Sequence, residues 1–534
     1  MNQRDVIIVG AGFGGMYMLH RVRAMGLSAQ VIEAGSEVGG TWYWNRYPGA
    51  RCDIESMSYS YSFSEELQQE WNWPDRYAVQ PDILRYAKHV ADRFDLRRDI
   101  AFETRVKSVV FDEAARRWTV STNKGEALRA RHVVMATGCL SVPKTPDLPG
   151  LERFQGPVYH TAHWPPADVD FTGRRVGIVG TGSSAIQAIP FIARQARHLT
   201  VFQRTANYSI PAWNGPLREE TRREIKRNYP ALRRKSRASY AGDYADEYHL
   251  TIAKLTPSER ELHFERCWQL GGFNIQYAFT DIMESAEANE LACEFVRRKI
   301  RATVNDPAVA ERLCPKGHPL GAKRLCVDTG YYETYNRPNV SLVDLKSDPL
   351  GTITATGLRT RSADHDFDDL VLATGFDAMT GALAGIDIRG RGGQALVERW
   401  RDGPAAYLGL AVAGFPNMFI ITGPGSPSVL ANVLLACEQN VEWVGDLLGY
   451  AERLGIELIE AEPGTDSDWA RKVSEAADRT LYSKANSWYL GANVPGKPRV
   501  FMPYVEGFCV YAAKCDSVAA DGYTGFRLIP ARPN

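Results

Sequence analysis

The sequence predicts an α/β fold with two Rossmann-like dinucleotide-binding units, the second of which carries a helical insertion. Two observations lead to this class. The run VIIVGAGFGG at residues 6–15 and the run VGIVGTGSSA at residues 176–185 each lead from an apolar stretch into a G-x-G-x-x-G/A turn. This turn joins a strand to a helix in dinucleotide-binding folds, so two copies predict two nucleotide sites.

A second repeated phrase supports the duplication. VVMATG at residues 133–138 and LVLATG at residues 370–375 are both strand-like runs that end in a tight turn. In doubly wound folds ligands bind at the carboxyl ends of such strands. The interval from Gly180 to Ala373 is much longer than the interval from Gly10 to Ala136. The second unit therefore contains the insertion.

The insertion is predicted at residues 211–320, which are rich in Arg, Glu, Lys and aromatic residues and lack strand-like alternation. Residues 285–301 form a helical phrase, and Asp306 followed by Pro307 marks a helix start. The basic run at residues 222–237 is interpreted as the solvated face of a helix. The predicted divisions are the opening of the first unit (1–140), the opening of the second unit (150–210), the insertion (211–320), the close of the second unit (321–375) and the completion of the first unit (376–534).

Composition excludes several classes of function. Lys plus Arg and Asp plus Glu both number 63. This balance argues against a nucleic-acid partner, which usually requires a basic excess. The nine cysteines are scattered, without a C-x-x-C pair or zinc-like spacing. We therefore expect a reduced cytoplasmic protein without a disulfide framework or a bound metal. No apolar stretch reaches the roughly 18 residues of a membrane span. The oligomeric state stays open, and a monomer fits the sequence.

The first turn has the residues of a site for an unphosphorylated adenosine ribose. Gly10, Gly12 and Gly15 let the backbone approach a pyrophosphate at a helix N-terminus. Glu33 follows about 20 residues later, where a carboxylate accepts hydrogen bonds from both ribose hydroxyls. A surface glutamate is the alternative interpretation of Glu33.

The second turn differs at the corresponding position. Gln203 stands as far from Gly180 as Glu33 stands from Gly10, and Arg204 follows it. A carboxylate would repel a 2′-phosphate, whereas a guanidinium binds one bidentately. The second site is therefore predicted to hold NADP(H), and Ala185 in place of the third glycine agrees with this. A purely structural Arg204 is the alternative.

Three further segments carry candidate chemistry. Residues 39–53, GGTWYWNRYPGARCD, combine a double glycine with aromatic residues and suit a flavin, although a packed aromatic loop is the alternative. His160 is either a base or a buried structural histidine, and we favour the structural role because it lies at a domain junction. Lys323 and Arg324 precede a short apolar run. They either end a strand in solvent or face the 2′-phosphate and the reacting centre.

Together these motifs resemble type I Baeyer–Villiger monooxygenases. The family fingerprint F-x-G-x-x-x-H-x-x-x-W-P is met from Phe154 to Pro165, and G-G-x-W-x-x-x-x-Y-P-G-x-x-x-D is met from Gly39 to Asp53. The phrases GAKRL (321–325), TGPGSPS (422–428) and WYLGANVPGKP (488–498) are similar to the phenylacetone and steroid monooxygenase branch. The resemblance implies an FAD enzyme that uses NADPH and O2 to convert ketones into esters or lactones through a flavin C4a-peroxide. It also implies sulfide oxidation as a side activity.

The resemblance assigns roles residue by residue. Arg324 would be the catalytic arginine with Asp53 as its carboxylate partner, and His160 would be a linker residue. The FAD contacts would be Glu33, Thr41, Trp42, Trp44, Asp53 and Tyr59. The NADP(H) contacts would be Thr181, Gly182, Ser183, Ser184, Ala185, Ile186, Gln187, Arg204, Thr205, Lys323 and Trp488. Gly14, Gly40, Arg51, Cys52, Val106 and Val433 complete the predicted cofactor-binding set. The segment 506–511 departs from the branch, which has a second glycine and basic residues there.

Three alternatives stay open. An N- or S-oxidising flavin monooxygenase shares the two Gly turns but not the complete fingerprint at 154–165. A flavin disulfide reductase needs two cysteines beside the flavin, and Cys52 has no partner within the next dozen residues. A non-catalytic redox sensor would not require Asp53, Lys323 and Arg324. Acyclic, aryl or bulky polycyclic ketones are the expected substrates of this branch.

Overall fold

Two β-sheets flanked by helices organise the chain in the computed structural model, which describes residues 3–245 and 248–532. The strands, numbered in chain order, are β1 (Gln3–Val9), β2 (Ala29–Ile32), β3 (Ile100–Ala101), β4 (Val106–Asp112), β5 (Arg117–Thr122), β6 (Ala127–Met135), β7 (Val158–His160), β8 (Arg175–Val179), β9 (His198–Gln203), β10 (Ser209–Pro211), β11 (Cys326–Asp328), β12 (Val340–Asp344), β13 (Leu350–Ile353), β14 (Gly357–Thr360), β15 (Asp364–Asp366), β16 (Asp369–Leu372), β17 (Asp387–Arg389), β18 (Met418–Ile420), β19 (Ile456–Ala461) and β20 (Phe526–Pro530). The α-helices are α1 (Phe13–Ala24), α2 (Thr41–Trp44), α3 (Glu65–Glu70), α4 (Gln80–Arg93), α5 (Ser183–Gln195), α6 (Glu219–Ala238), α7 (Pro257–Leu270), α8 (Ala286–Thr303), α9 (Pro307–Leu313), α10 (Tyr331–Thr334), α11 (Gly381–Ala384), α12 (Leu396–Arg399), α13 (Val433–Arg453), α14 (Thr465–Asp478) and α15 (Phe508–Ala520).

The first sheet has the order β17-β4-β5-β6-β1-β2-β3, with β18 also paired to β6. Strand β1 lies between β6 and β2, parallel to both. Ile7 and Ile8 are fully buried on opposite faces because helices and loops cover both sides of this strand. The strands β17 and β18 come from the C-terminal third of the chain, which therefore returns to the first sheet.

The second sheet has the order β12-β9-β8-β16-β7, and all of its pairings are parallel. The carboxyl ends of β8, β9 and β16 meet at one edge, where Gly180 donates its backbone N–H to Phe202 O at 3.1 Å. Ala373 at the end of β16 donates to Val179 O at 2.9 Å. The predicted α/β fold with two Rossmann-like units is confirmed. We call the parts built on the two sheets the first unit and the second unit.

The predicted insertion contains helices α6 to α9. Two helix starts follow the sequence signals. Ser285 Oγ accepts from Ala288 N at 3.2 Å ahead of α8, and Asp306 Oδ1 accepts from Ala308 N at 2.8 Å ahead of α9. Side chains of this type satisfy the free N–H groups of a first helical turn. The domain boundaries drawn from the sequence stay a prediction.

The interpretation of residues 222–237 as a solvated face is wrong for one side of helix α6. Arg233 is 9% exposed, and its Nη1 donates to Ser58 O at 3.0 Å while Nη2 donates to Ser60 Oγ at 2.7 Å. Arg237 binds Glu442 through both Nη atoms. Helical periodicity places Tyr229, Arg233 and Arg237 on one face, and that face packs against the first unit. The charge run alone does not show which face meets another part of the protein.

The last two features of the fold concern membrane-spanning helices and cysteine pairing. Among the helices of the described residues, none combines the length and apolar character that crossing a membrane requires. In the same residues all nine cysteines are free thiols.

Candidate active site

One cavity of about 1250 Å³ lies at the carboxyl ends of the central strands of both sheets. Gly10, Gly12 and Gly14 of the first Gly turn (residues 10–15) line one part of it. Gly180 and Gly182 of the second Gly turn (residues 180–185) line another part. The fold thus brings the two repeated motifs to a shared space.

The first Gly turn is tight enough to require glycine. Gly10 has a φ of +103°, and a Cβ there would lie 2.6 Å from Ala136 O. A Cβ on Gly15 would lie 1.9 Å from Gly10 O, so the helix packs directly on the strand end. Helix α1 begins with Gly12 at its N-cap and without a side-chain cap. Its first N–H groups remain available to an anion in the cavity.

Glu33 follows strand β2 and lies at the cavity wall, 4% exposed. Its Oε2 accepts from Ala11 N at 2.7 Å, and its Oε1 accepts from Gly35 N at 2.6 Å. Burial raises the pKa of Glu33, and these backbone donors oppose the rise. Each carboxylate oxygen keeps a second lone pair, so the side chain can still accept from hydroxyl groups of a ligand.

The second Gly turn repeats this geometry with more open space. Gly180 has a φ of +117°, and a Cβ there would lie 2.4 Å from Ala373 O. Helix α5 begins after Gly182, again without a side-chain cap. A Cβ on Gly182 would meet no atom within 4 Å. The N-terminus of α5 therefore faces the cavity unobstructed.

Cations replace the carboxylate of the first site at the second site. Gln203 is 2% exposed, and its Nε2 donates to Arg312 O at 2.7 Å. Arg204, Lys323 and Lys144 line the cavity. Burial, followed by the charge of Arg204, lowers the pKa of both lysines. Among the described residues none of the three cations forms an ion pair, so this wall suits an anion.

Arg324 and Asp53 form an ion pair at the same cavity, with exposed side-chain fractions of 22% and 24%. Asp53 Oδ2 accepts from Arg324 Nη2 at 2.8 Å and from Nε at 3.0 Å. Nη1 of Arg324 donates to Val429 O at 2.6 Å, and the guanidinium lies 4.7 Å from the centre of the Phe273 ring. Burial lowers the pKa of Arg324, but the charge of Asp53 opposes this effect, and the net shift of the pKa is upward. The guanidinium is fixed and permanently charged.

The aromatic segment closes over the first Gly turn. Gly40 has a φ of +52°, and a Cβ there would lie 2.9 Å from Gly12 Cα. Trp42 Nε1 donates to Tyr59 OH at 3.0 Å, and the two rings meet edge to face. The double glycine thus allows two backbone segments to touch, which leaves the neighbouring aromatic rings at the cavity.

Most of the predicted site residues line this cavity. They are Gly10, Gly12, Gly14, Glu33, Gly40, Thr41, Trp42, Trp44, Arg51, Cys52, Asp53, Tyr59, Val106, Thr181, Gly182, Ser183, Ser184, Gln187, Arg204, Thr205, Lys323, Arg324, Val433 and Trp488. Gly15, Ala185 and Ile186 lie behind it. Gly15 packs on Gly10 O, while Ala185 and Ile186 are fully buried in the core of the second unit.

His160 lies at the junction of the units with both ring nitrogens occupied. Nε2 contacts Lys144 O at 3.2 Å and Thr374 Oγ1 at 3.1 Å, and Nδ1 accepts from Ala162 N at 3.1 Å. Burial lowers the pKa of His160. These contacts support the structural interpretation of this histidine.

Sequence reasoning missed several polar residues of the cavity wall, including Lys144, Ser487 and Asn493. Lys144 Nζ donates to Asn493 O, which ties the linker after β6 to the loop that carries Trp488. These residues stand in irregular segments without a motif. The only available signal was their closeness in sequence to the turn after β6 (residues 136–138) and to Trp488.

The fold and the cavity define a class: an oxidoreductase with two dinucleotide sites that open to one reacting space. In agreement, the family model described as pyridine nucleotide-disulphide oxidoreductase matches residues 7–229.

Full-length relatives narrow the class. A steroid monooxygenase, solved in its oxidised form with NADP, is 53% identical, with 99% of this chain and 100% of that chain covered and a TM-score of 0.96. A phenazine N-monooxygenase from Lysobacter antibioticus is 42% identical over 98% of this chain and 97% of the relative. A Baeyer–Villiger monooxygenase from Pseudooceanicola batsensis is 41% identical over 97% and 95% of the two chains. The chain belongs to the Baeyer–Villiger monooxygenase family. It is an FAD-containing, NADPH-dependent enzyme that oxidises ketones to esters or lactones.

Proposed function

We propose that this enzyme holds FAD at the first Gly turn and NADP(H) at the second, and that Arg324 with Asp53 forms the reacting centre. The observation that carries the proposal is the Arg324–Asp53 pair, which lies in the one cavity to which both Gly turns open. The same residue assignments follow from the family resemblance.

The first site fits FAD. The uncapped N-terminus of α1 offers backbone N–H groups to a pyrophosphate, and Glu33 offers free lone pairs to ribose hydroxyls. The close approach of Gly12 and Gly40 leaves no side chain between the two backbones. When bound there, FAD would supply the acceptor for the hydride of NADPH and the means to transfer one oxygen atom of O2 to the ketone, with the other oxygen atom leaving as water.

The second site fits NADP(H). The open N-terminus of α5 at Gly182 suits a second pyrophosphate. Arg204 and Lys323 offer unpaired positive charge where the first site has Glu33. A 2′-phosphate would pair with these cations, whereas NADH lacks the group that they bind. Lys144 adds positive charge to the same region.

Arg324 acts by fixed charge rather than by proton transfer. Its guanidinium stays protonated at any working pH, because the Asp53 carboxylate favours the charged form. Three hydrogen bonds to Asp53 and Val429 hold its orientation. As negative charge develops on the carbonyl oxygen of a bound ketone, a cation that is already in place stabilises it without reorganisation. Asp53 orients the guanidinium and limits the cost of placing a charge there.

The substrate class is proposed from the branch. The loop at residues 423–430 and the region of Trp488 are similar to the phenylacetone and steroid branch. The identity of 53% to the steroid monooxygenase exceeds that to the other two relatives named above. We therefore propose acyclic, aryl and bulky polycyclic ketones as substrates, with sulfides as side substrates.

The test uses the purified holoenzyme. It should contain one FAD per chain, and its NADPH-driven O2 consumption should rise when an aryl or steroidal ketone is added, with the ester identified by mass spectrometry. NADPH oxidation that ignores every ketone would contradict the proposal. Phenazine is the informative second substrate, because the relative from Lysobacter antibioticus is an N-monooxygenase. Formation of an N-oxide without any ester would favour the N-oxidising alternative.

We also propose a cytoplasmic enzyme, and a monomer is the oligomeric state that fits the sequence. The free cysteines of the described residues support a reducing compartment. Light scattering coupled to gel filtration tests the second point, and a mass of two or more chains would contradict it.

A further inference from the structure

We propose that Gln187 is a positioning residue, which locks the nucleotide-binding helix α5 of the second unit onto the segment that carries Asp53. The proposal rests on the proposed function, since it concerns the distance between the second Gly turn and the Arg324–Asp53 pair. The resemblance assigns Gln187 to NADP(H) contact, but its amide is engaged elsewhere.

The side chain of Gln187 binds the first unit at three points. Its Oε1 accepts from Tyr47 OH at 2.8 Å and from Arg51 N at 3.3 Å. Its Nε2 donates to Arg51 O at 3.1 Å. The residue is 7% exposed. Both polar groups of the Gln187 amide are therefore hydrogen-bonded to a loop of the first unit, in which Arg51 lies 136 residues before Gln187 in sequence.

The backbones of the two units also touch at this place. Gly49 has a φ of +79°, and a Cβ there would lie 2.5 Å from Gln187 O and 2.4 Å from Cδ2 of Phe191. A side chain at residue 49 would push the loop away from α5. The glycine and the amide thus fix the loop against the helix by packing and by hydrogen bonds together.

This contact connects the second Gly turn, on one side, to the segment that carries Asp53, on the other. Helix α5 begins at Ser183, about one turn before Gln187, so the amide moves with the second Gly turn. In the other direction, Arg51 is two residues from Asp53, which binds Arg324. Gln187 therefore sets how far the nucleotide helix lies from the reacting pair. Catalytic geometry is sensitive to such distances, and a shift of about 1 Å can cost about 10²-fold in rate.

Replacement of Gln187 by Ala tests the idea on the FAD-loaded enzyme. We expect the Kd of NADP⁺, measured by calorimetry on the oxidised protein, to stay within about threefold of the wild-type value. We expect kcat for ester formation to fall about 10- to 100-fold, with NADPH oxidation diverted to H2O2. Tyr47→Phe, which removes one of the three bonds, should give a smaller change of the same kind. The kcat of the double variant should be no lower than that of Gln187→Ala, because both substitutions disrupt the same contact between α5 and the loop.

The matched control is Gln195→Ala on the same helix. The Oε1 of Gln195 accepts from Phe171 N at 3.4 Å, and this residue does not line the cavity. That variant should keep the ester yield per NADPH. Gln187→Glu keeps the acceptor for Tyr47 OH and Arg51 N but loses the donor to Arg51 O, so its kcat should stay below the wild-type value.

Two results would overturn the inference. A Kd for NADP⁺ raised tenfold with unchanged ester yield per NADPH would make Gln187 a direct nucleotide ligand. Wild-type values for all variants would make the contact irrelevant to the reaction. If Gln187→Ala does not fold, Tyr47→Phe carries the test, since it removes a single hydroxyl. Failure of the proposed function is distinguishable, because the wild-type enzyme itself would then neither bind NADP⁺ nor form an ester.

Discussion

Replacing Arg324 with Ala should abolish ester formation while FAD stays bound. The change removes two hydrogen bonds to Asp53, one to Val429 O and the only guanidinium paired with that carboxylate among the described residues. The loss of one preorganised electrostatic partner costs about 10²–10³ in rate, or about 2.7–4 kcal/mol of transition-state stabilisation. The stability cost is smaller. Because both side chains are partly exposed, we expect roughly 1–3 kcal/mol, between the values for surface and buried pairs.

The assay separates cofactor retention from chemistry. Flavin absorbance measures FAD content, the absorbance of the reduced nicotinamide follows NADPH oxidation, and ester and H2O2 are quantified from the same reactions. Arg324→Ala should keep its flavin, and its residual NADPH oxidation should appear as H2O2. Arg324→Lys should recover only part of the rate, because an ammonium group cannot reproduce the planar contact with Asp53. Arg479→Ala, which breaks an exposed pair with Glu506, is the control and should retain activity. Near-normal ester formation by Arg324→Ala would refute the reasoning, and Lys323 or Arg51 would then be the next cation to replace.

Other expected outcomes concern the nucleotide sites and the substrates. Arg204→Ala should lower the preference for NADPH over NADH about 10- to 100-fold, as expected for a charge-assisted contact of about 1.5–3 kcal/mol; an unchanged ratio of kcat/KM values would assign Arg204 to structure. The affinity for NADP⁺ should fall as the pH rises, starting below the ordinary range of a lysine, because burial and the charge of Arg204 lower the pKa of Lys323 and of Lys144, and the phosphate needs the protonated ammonium groups. Lys323→Arg should make this decline smaller, and calorimetry between pH 7 and roughly 10 checks it. Gly182→Ala should fold normally, since a Cβ there meets no atom within 4 Å, but it should bind NADP⁺ more weakly. Gly15→Ala should lose FAD or fail to fold, because its Cβ would clash with Gly10 O. Flavin absorbance and thermal unfolding distinguish these two outcomes. A panel of aryl, steroidal and small cyclic ketones should show turnover of the first two groups, and activity confined to small cyclic ketones would overturn the branch assignment.

The predictions that succeeded rest on local chemistry. A strand followed by a G-x-G-x-x-G/A turn specifies its own geometry, since the positive φ of Gly10 and of Gly180 and the contact of Gly15 with Gly10 are short-range requirements. Helix starts at Ser285 and Asp306 are equally local. For the same reason the positions of Glu33 and Gln203 at the ends of corresponding strands could be read from their spacing.

What the sequence determined by itself is therefore the pair of nucleotide-binding units, the different residues (Glu33 and Gln203) at corresponding strand ends, and the family. Only the tertiary structure decided which side chains meet across the units. It buried Arg233 against Ser58 and Ser60, placed Lys144 beside the loop of Trp488, and turned the amide of Gln187 toward Arg51. Such contacts join residues far apart in the chain, and they depend on how loops without regular periodicity pack. The type of a residue determines which hydrogen bonds and ion pairs its side chain can form, but the tertiary structure determines which partner it meets.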